Sequence, residues 1–171
     1  MAERLLSSDD LGRVLHRLAA EIAERVPHAA GLVGIRRGGV PAAQRIARLL
    51  GEAEARTVPV GAIDIALYRD DAAIAPPDPK IGPSRVEFEV EGKDVILVDD
   101  VLMTGRTVRA AIDSLMDYGR PRRIWLAVLV DRGGRELPIA ADFVGRVLDA
   151  PRGKKVLVEL EGERAGAWSE P

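Results

Sequence analysis

One run of apolar residues that ends in two carboxylates constrains the fold of this chain more than any other feature. Residues 95–98 are apolar at every position, and Asp99 and Asp100 follow them directly. A strand without polar alternation is typical of the centre of a parallel sheet, where helices cover both faces. Parallel strands need crossover connections, which are usually helical and right-handed. The run therefore predicts an α/β fold with a central, mostly parallel sheet flanked by helices.

The rest of the chain alternates between strand and helix patterns. Helical spacing of apolar residues after Ser7 or Ser8 predicts a first helix, which Pro27 ends. The same spacing predicts further helices at residues 41–50 and 107–118. Apolar or alternating runs predict strands at residues 31–35, 57–67, 86–90, 95–98, 124–130 and 155–160.

Residues 70–84 interrupt this alternation. Prolines recur in this segment, so an irregular loop is predicted there. A loop of this length inside a compact domain usually has a function or is mobile. No linker divides the sequence, so we expect a single domain over residues 1–171, with a loose polar tail from about Glu161.

The composition excludes several kinds of site. The sequence has no cysteine, which removes disulfides, thiolate catalysis and Cys-ligated metals, and two histidines, His16 and His28, leave little for a zinc site. The formal net charge of -2 gives no general attraction to nucleic acid or to a membrane, so any anion site has to be local. No long apolar run is present, which predicts a cytoplasmic protein with no membrane partner.

The segment that follows the two carboxylates has the features of a phosphate site. Gly105 lets the backbone approach an anion closely, Thr104 and Thr107 add hydroxyl groups, and the predicted helix begins there with unpaired N–H groups. The sequence matches neither the nucleoside-triphosphate loop nor the dinucleotide fingerprint. Asp99 and Asp100 can bind a vicinal diol, directly or through a hard cation. A ribose 5-phosphate therefore suits the segment.

The apolar strand, the Asp-Asp pair and Thr-Gly-Arg-Thr at residues 104–107 together resemble the phosphoribosyl pyrophosphate motif of type I phosphoribosyltransferases. Residues 61–71, which end in Tyr-Arg-Asp-Asp, and residues 127–139, which include Asp-Arg-Gly, are similar to one family with that fold. It comprises the bifunctional pyrimidine-operon regulators that have uracil phosphoribosyltransferase activity. The resemblance runs in order from about Leu6 to Leu160, and it implies a type I phosphoribosyltransferase fold with a mobile loop over the site.

This resemblance implies an activity and a set of site residues. The activity is transfer of a phosphoribosyl group from phosphoribosyl pyrophosphate to uracil, which yields UMP and pyrophosphate. It implies magnesium carried by the donor, with no protein ligand assigned to the ion. The implied catalytic residues are Asp99, Asp100 and Arg132. The implied substrate-binding residues are Arg36, Arg37, Gly38, Tyr68, Arg69, Asp99, Asp100, Val101, Leu102, Met103, Thr104, Gly105, Arg106, Thr107 and Arg132.

The resemblance also implies that the protein regulates a pyrimidine operon by binding a messenger-RNA stem-loop in response to uridine nucleotides. The family uses its first helix and the region after Asp-Arg-Gly for this contact. The corresponding residues here are Arg13, His16, Arg17, Arg135 and Arg146. Read from the residues alone, the basic positions of the first helix more often form an ordinary solvated face. The family further implies a homo-oligomer, either a dimer or a tetramer.

Two alternatives remain open at the level of sequence. One is a phosphoribosyltransferase for another base, such as a purine or orotate. The other is a regulator that binds UMP and RNA without catalysis, which Gly38 and Met103 favour because the family more often has Arg and Tyr there. Reactions outside phosphoribosyl transfer are disfavoured, because the sequence lacks the usual arrangements of a serine, cysteine or histidine nucleophile.

Overall fold

Three helices and eight strands make up the described part of the chain. The computed structural model describes residues 2–66 and 84–171. In chain order the elements are β1 (Glu3–Ser7), α1 (Ser8–Arg25), β2 (Gly31–Ile35), α2 (Gly39–Glu54), β3 (Val60–Ile63), β4 (Asp94–Leu102), α3 (Arg106–Met116), β5 (Arg123–Asp131), β6 (Phe143–Val147), β7 (Lys155–Glu159) and β8 (Gly166–Glu170). None of these helices combines the length and the apolar character that crossing a membrane requires.

A parallel sheet of five strands, in the order β3-β2-β4-β5-β6, lies at the centre of the structure. The apolar run of β4 is completely buried, and its side chains alternate between two cores. Ile96 and Val98 pack in the cluster that includes the buried faces of α1 and α2, whereas Val95 and Leu97 pack in the cluster that includes α3. Burial on both faces explains why residues 95–98 of β4 are uniformly apolar, and the predicted α/β fold is confirmed.

The first helix begins at a capping box that the sequence predicts. The Oγ atom of Ser7 accepts a hydrogen bond from the backbone N–H of Asp10 at 3.1 Å, and the Asp10 carboxylate accepts one from the backbone N–H of Ser7 at 2.9 Å. These two bonds satisfy backbone donors that a helix start leaves without partners. The apolar stripe of α1 then faces the core, and the helix ends at Arg25, two residues before Pro27.

A second sheet corrects the prediction of a loose tail after Glu161. Strand β8 is the middle strand of an antiparallel sheet with the order β1-β8-β7. Ala167 and Ser169 are buried, whereas Trp168 and Glu170 alternate with them. This alternation spans only five residues that follow a polar stretch, and β1 is equally short. Both strands are therefore stabilised by long-range pairing rather than by a strong local pattern.

Other boundaries also differ from the predictions. Of the strand predicted at residues 57–67, the described residues 57–66 form only β3. Residues 86–90 form no strand, although a single bridge joins Ala62 and Arg85. The alternation at 86–90 instead serves packing, because the Phe88 ring lies against Gly31 and Val90 is buried. Strand β6 is missed, since Gly145 and Arg146 interrupt its apolar pattern. The helices and the remaining strands are confirmed within a few residues.

We predict that Ala167→Asp strongly destabilises the protein. Ala167 is fully buried, so the carboxylate would lose its hydration without gaining a partner, and the free energy of unfolding should fall by about 3–5 kcal/mol. Thermal melting followed by circular dichroism measures this effect. Ala165→Asp is the matched control, because Ala165 is only half-buried in the same segment. Equal melting temperatures for the two variants would contradict a structured C-terminal strand.

Candidate active site

Three neighbouring strand ends provide the residues of the candidate site. Strand β4 lies between β2 and β5, and parallel strands end on the same side of a sheet. The segments that follow these three strands, residues 36–38, 103–107 and 131–139, therefore share one edge. Tyr68, Arg69 and residues 70–83 of the predicted mobile loop lie outside the described residues.

A pocket of about 160 Å³ lies at the turn from β4 into α3. Gly105 precedes the first residue of α3 and has a φ of 91°, which a residue without a side chain adopts at little cost. The Thr104 hydroxyl oxygen accepts a hydrogen bond from the Arg106 N–H at 3.2 Å. The pocket is lined by Asp99, Val101, Leu102, Met103, Thr104, Gly105, Thr107 and Val108. An anion here would meet the N-terminus of α3.

The start of α2 approaches the end of β4 very closely. A Cβ atom on Gly39 would collide with the backbone carbonyl of Val98, and a Cβ atom on Gly38 would collide with the carboxylate of Asp100. Packing therefore requires a glycine at position 38, because the Asp100 carboxylate occupies the space that a side chain would need. Arg36 and Arg37 directly precede this contact, and the peptide bond between them is cis. Both arginines thus lie in the turn beside the Asp pair.

Asp99 and Asp100 form a closely coupled pair. The Asp99 carboxylate accepts a hydrogen bond from the Asp100 N–H at 2.9 Å, and the Asp100 carboxylate accepts one from the Val101 N–H at 2.8 Å. Burial raises the pKa of Asp99 well above its ordinary value, and the neighbouring charge of Asp100 raises this pKa further. Ionisation of Asp99 is therefore less favourable than that of an exposed aspartate. Hydroxyl groups of a ligand would supply the hydrogen bonds that burial removes.

Arg106 and Arg132 make different contacts. Arg106 follows Gly105 in the chain but does not line the pocket, and its Nε atom donates to the Glu136 carboxylate at 2.8 Å. The buried Arg132 guanidinium donates instead to backbone carbonyls between β6 and β7, namely those of Ala150, Pro151 and Lys154. These contacts give Arg132 a structural anchoring role. They provide no evidence for its catalytic role, which stays a prediction.

The predicted RNA-binding residues divide into two groups. Arg13, Arg17 and Arg146 line one cleft of about 480 Å³ between α1 and β6, which we call the basic cleft. His16 is exposed on α1, and its Nδ1 atom lies 2.9 Å from the Gly12 carbonyl oxygen. Arg135 is not among the residues of the basic cleft, because its side chain contacts the residues around the pocket.

Sequence reasoning missed how residues 131–139, here called the outer loop, cover the turn after β4. The backbone N–H groups of Glu136 and Leu137 donate to the Thr104 carbonyl at 3.0 and 3.1 Å. The side chains of Leu137 and Ile139 lie close to Gly105. The available signal was a polar, glycine-containing segment directly after a buried strand that neighbours β4.

Within residues 2–66 and 84–171, no three acidic or histidine side chains are grouped so as to hold a metal ion. Asp99 and Asp100 nevertheless offer oxygen atoms of the kind that Mg²⁺ prefers. Two protein carboxylates suit a cation that takes its other ligands from substrate oxygens and water. The Asp pair therefore fits a magnesium ion that arrives with a phosphorylated substrate.

We predict that Asp99→Asn makes the ligand-free protein more stable at pH 7. Because the folded pKa of Asp99 is raised, the wild type loses stability as pH rises from the unfolded carboxyl pKa, about 3.9, through the raised folded value. The neutral amide does not undergo this loss. The difference in stability between the variant and the wild type should thus be small near pH 4 and grow with pH. Each kcal/mol of added stability should raise the Tm by about 2–4 °C.

Thermal melts of both proteins between pH 4 and pH 8, without ligands, measure this difference. Asp113→Asn is the matched control, since the Asp113 carboxylate is exposed and pairs with Arg109 on the surface of α3. Its melting temperature should differ from the wild type by a constant amount over the same range. An Asp99→Asn protein that is less stable than the wild type at pH 7 would refute the assignment.

Comparisons with known proteins agree with this geometry. Residues 1–157 match the phosphoribosyl transferase domain family. The bifunctional protein PyrR of Roseiflexus sp. (strain RS-1) is 52% identical over 160 residues, which cover 92% of this chain and 87% of the relative. The bifunctional protein PyrR of Thermus aquaticus is 52% identical over 159 residues, which cover 92% of this chain and 88% of the relative.

Solved structures show the same fold at low sequence identity. A hypoxanthine-guanine phosphoribosyltransferase from Bacillus anthracis has a TM-score of 0.71 at 17% identity, with 98% of this chain and 96% of that chain covered. A hypoxanthine phosphoribosyltransferase from Staphylococcus aureus has a TM-score of 0.70 at 18% identity, with 98% and 91% covered. The predicted type I phosphoribosyltransferase fold is confirmed. The chain belongs to the phosphoribosyl transferase domain family and, within it, to the family of bifunctional PyrR proteins.

Proposed function

We propose that the protein is a uracil phosphoribosyltransferase, which converts uracil and phosphoribosyl pyrophosphate to UMP and pyrophosphate. The observation that carries this proposal is the pocket at the end of β4, where the buried Asp99, followed by Asp100, adjoins a helix N-terminus. Membership in the bifunctional PyrR family favours uracil over other bases. The hypoxanthine enzymes among the structural relatives share only the fold at 17–18% identity.

The reaction breaks the bond from ribose C1 to a pyrophosphate oxygen and forms a bond from a uracil nitrogen to C1. The uracil nitrogen loses its proton, and positive charge builds up on the ribose ring while the pyrophosphate leaves. Fixed hydrogen bonds and charges aimed at these groups lower the barrier. A bound Mg²⁺ would supply positive charge to the leaving pyrophosphate.

Each part of the pocket has a role in this scheme. The N–H groups at the start of α3 and the hydroxyls of Thr104 and Thr107 would hold the 5-phosphate. Asp99 and Asp100 would accept hydrogen bonds from the ribose hydroxyls and so fix the ring. Residues 36–38 would take the pyrophosphate, to which Arg36 and Arg37 bring positive charge. Tyr68, Arg69 and Arg132 stay predicted contacts.

We predict that a double variant, Asp99→Asn with Asp100→Asn, loses turnover. Without carboxylates the ribose hydroxyls lose their charged acceptors, so kcat/KM should fall by about 10²-fold or more. The measurement is pyrophosphate release with magnesium, phosphoribosyl pyrophosphate and each of uracil, hypoxanthine, guanine and orotate in turn. Asp113→Asn, on the surface of α3, is the control that should keep wild-type turnover.

The outcomes separate the open alternatives. Turnover with uracil alone supports the proposal. Preferred turnover with a purine or with orotate would favour an enzyme for another base. No turnover with any base, together with intact UMP binding by calorimetry, would favour a regulator without catalysis. A double variant that keeps full turnover would remove the Asp pair from the mechanism.

We infer that the protein also binds an RNA stem-loop of a pyrimidine operon, and the basic cleft is the observation that favours this second function. Three arginines line it, although the whole chain has a formal net charge of -2. Arg13 pairs with Asp10 at 2.6 Å and Arg17 pairs with Glu21 at 2.8 Å, on surfaces where water weakens such pairs. RNA phosphates can therefore replace these partners at little cost.

We predict that Arg13→Ala combined with Arg146→Ala weakens binding of the pyrimidine-operon leader stem-loop without changing turnover with uracil. Each lost phosphate contact should reduce the slope of log K against log salt concentration by roughly 0.7. Filter binding or fluorescence anisotropy at several salt concentrations measures both effects. Arg85→Ala is the matched control, because the Arg85 side chain is 71% exposed, compared with 70% for Arg13, and it also pairs with a carboxylate.

A salt-independent affinity, or equal affinities of the double variant and the control, would exclude the basic cleft as the RNA site. UMP bound in the pocket would be the uridine nucleotide that adjusts RNA binding. A cytoplasmic location and self-association into a dimer or a tetramer stay predictions.

A further inference from the structure

The outer loop is bonded to the turn after β4 by its backbone. The N–H of Arg132 donates to the Leu102 carbonyl at 3.1 Å, and two further N–H groups donate to the Thr104 carbonyl. These bonds bring the chain after β5 alongside residues 103–107, which we call the phosphate loop. The family resemblance implies that the residues after β5 lie near the base. Two segments that contact each other directly would therefore hold two parts of the substrate: the phosphate loop would hold the 5-phosphate, and the end of β5 would hold the base.

The side chain of Arg135 adds two hydrogen bonds that link these two segments. One terminal nitrogen donates to the Met103 carbonyl at 2.8 Å, and the other donates to the Asp131 carboxylate at 2.6 Å. The second oxygen of Asp131 accepts a hydrogen bond from the Gly133 N–H at 3.0 Å. The Asp131 and Arg135 side chains are only 16% and 27% exposed, so solvent replaces this ion pair poorly. The last residue of β5 is thereby tied to the first residue of the phosphate loop.

We propose that Arg135 is a positioning residue of the nucleotide site: it fixes the phosphate loop relative to the end of β5, so that the base and the 5-phosphate are held at the correct separation. This proposal rests on the proposed transferase function. Arg135 acts through Met103 and Asp131, and it need not touch the substrate. Its interaction partners distinguish it from Arg13, Arg17 and Arg146, which line the basic cleft.

The chemistry of this contact requires arginine. A guanidinium is a rigid fork, and its two terminal nitrogens can bond a carbonyl and a carboxylate at the same time. A lysine at this position carries the charge but has a single terminal nitrogen. It can therefore restore one of the two hydrogen bonds more easily than both. Removing the side chain leaves the Met103 carbonyl and the Asp131 carboxylate without this donor. The backbone bonds of the outer loop remain, but the phosphate loop loses its side-chain link to the end of β5 and is held less firmly.

The test compares Arg135→Ala, Arg135→Lys and Asp131→Asn with the wild type in the absence of RNA. Calorimetry gives the Kd for UMP, and steady-state kinetics give KM for phosphoribosyl pyrophosphate, KM for uracil and kcat. Asp131→Asn keeps an oxygen for the Gly133 N–H but loses the charge that Arg135 binds. Arg122→Ala is the matched control, because Arg122 pairs with Asp94 at 2.7 Å at the opposite end of β4.

We expect Arg135→Ala to raise the Kd for UMP and the KM for phosphoribosyl pyrophosphate about tenfold, with less than about a twofold change in KM for uracil. Arg135→Lys should fall between this variant and the wild type. Asp131→Asn should have an effect similar to that of Arg135→Ala. A double variant that combines Arg135→Ala with Asp131→Asn should raise the Kd for UMP no more than either single variant does. Arg122→Ala should bind UMP as the wild type does.

Three results would overturn the inference. The first is wild-type UMP affinity and wild-type kinetics in Arg135→Ala, even if RNA binding is lost, because Arg135 would then serve RNA alone. The second is an equal loss of UMP affinity in Arg122→Ala, which would assign the effect to general stability. The third is a wild-type protein that neither binds UMP nor uses uracil, which would refute the proposed function and this inference with it.

Discussion

The site depends on the close approach of the α2 N-terminus to the end of β4. A side chain at Gly39 would collide with the backbone of β4, and a side chain at Gly38 would collide with Asp100. Without side chains at these two positions, the turn that carries Arg36 and Arg37 reaches the Asp pair. Cations and carboxylates thus lie side by side at the strand ends, where an open α/β sheet binds its ligands. A larger residue at either glycine would separate them.

The same packing carries an energetic cost at Asp99. Its carboxylate is buried beside a second carboxylate, so ionisation is unfavourable and the pKa of Asp99 is raised. A residue chosen for stability alone would be neutral. The two acids fit the proposed substrate, whose hydroxyl donors and accompanying cation would stabilise the charged form. The cost of burying this carboxylate would thereby contribute to affinity for the correct ligand.

The sequence predicts those parts of the structure that depend on local chemistry. The apolar run at residues 95–98 of β4, the helix cap at Ser7 and the glycine turn at Gly105 each follow from a few adjacent residues. Contacts between distant residues are not predictable in this way. Arg106 and Glu136 meet across 30 positions, and β8 exists because it pairs with β1 at the other end of the chain. The placement of Arg132 likewise depends on carbonyl groups beyond β6, and no local sequence motif predicts these contacts.

Strand register connects the pocket to the basic cleft. In the β5–β6 ladder, Val130 pairs with Arg146 and Asp131 pairs with Val147, so the end of β5 lies beside the strand that forms one wall of the cleft. Asp131 also holds Arg135, which contacts the phosphate loop. Coupling between two sites requires an element with two arrangements that both sites influence. The Asp131–Arg135 ion pair, formed or broken, would be such an element: it links the loop that would hold the UMP phosphate to the end of β5, and β5 pairs with the strand that carries Arg146.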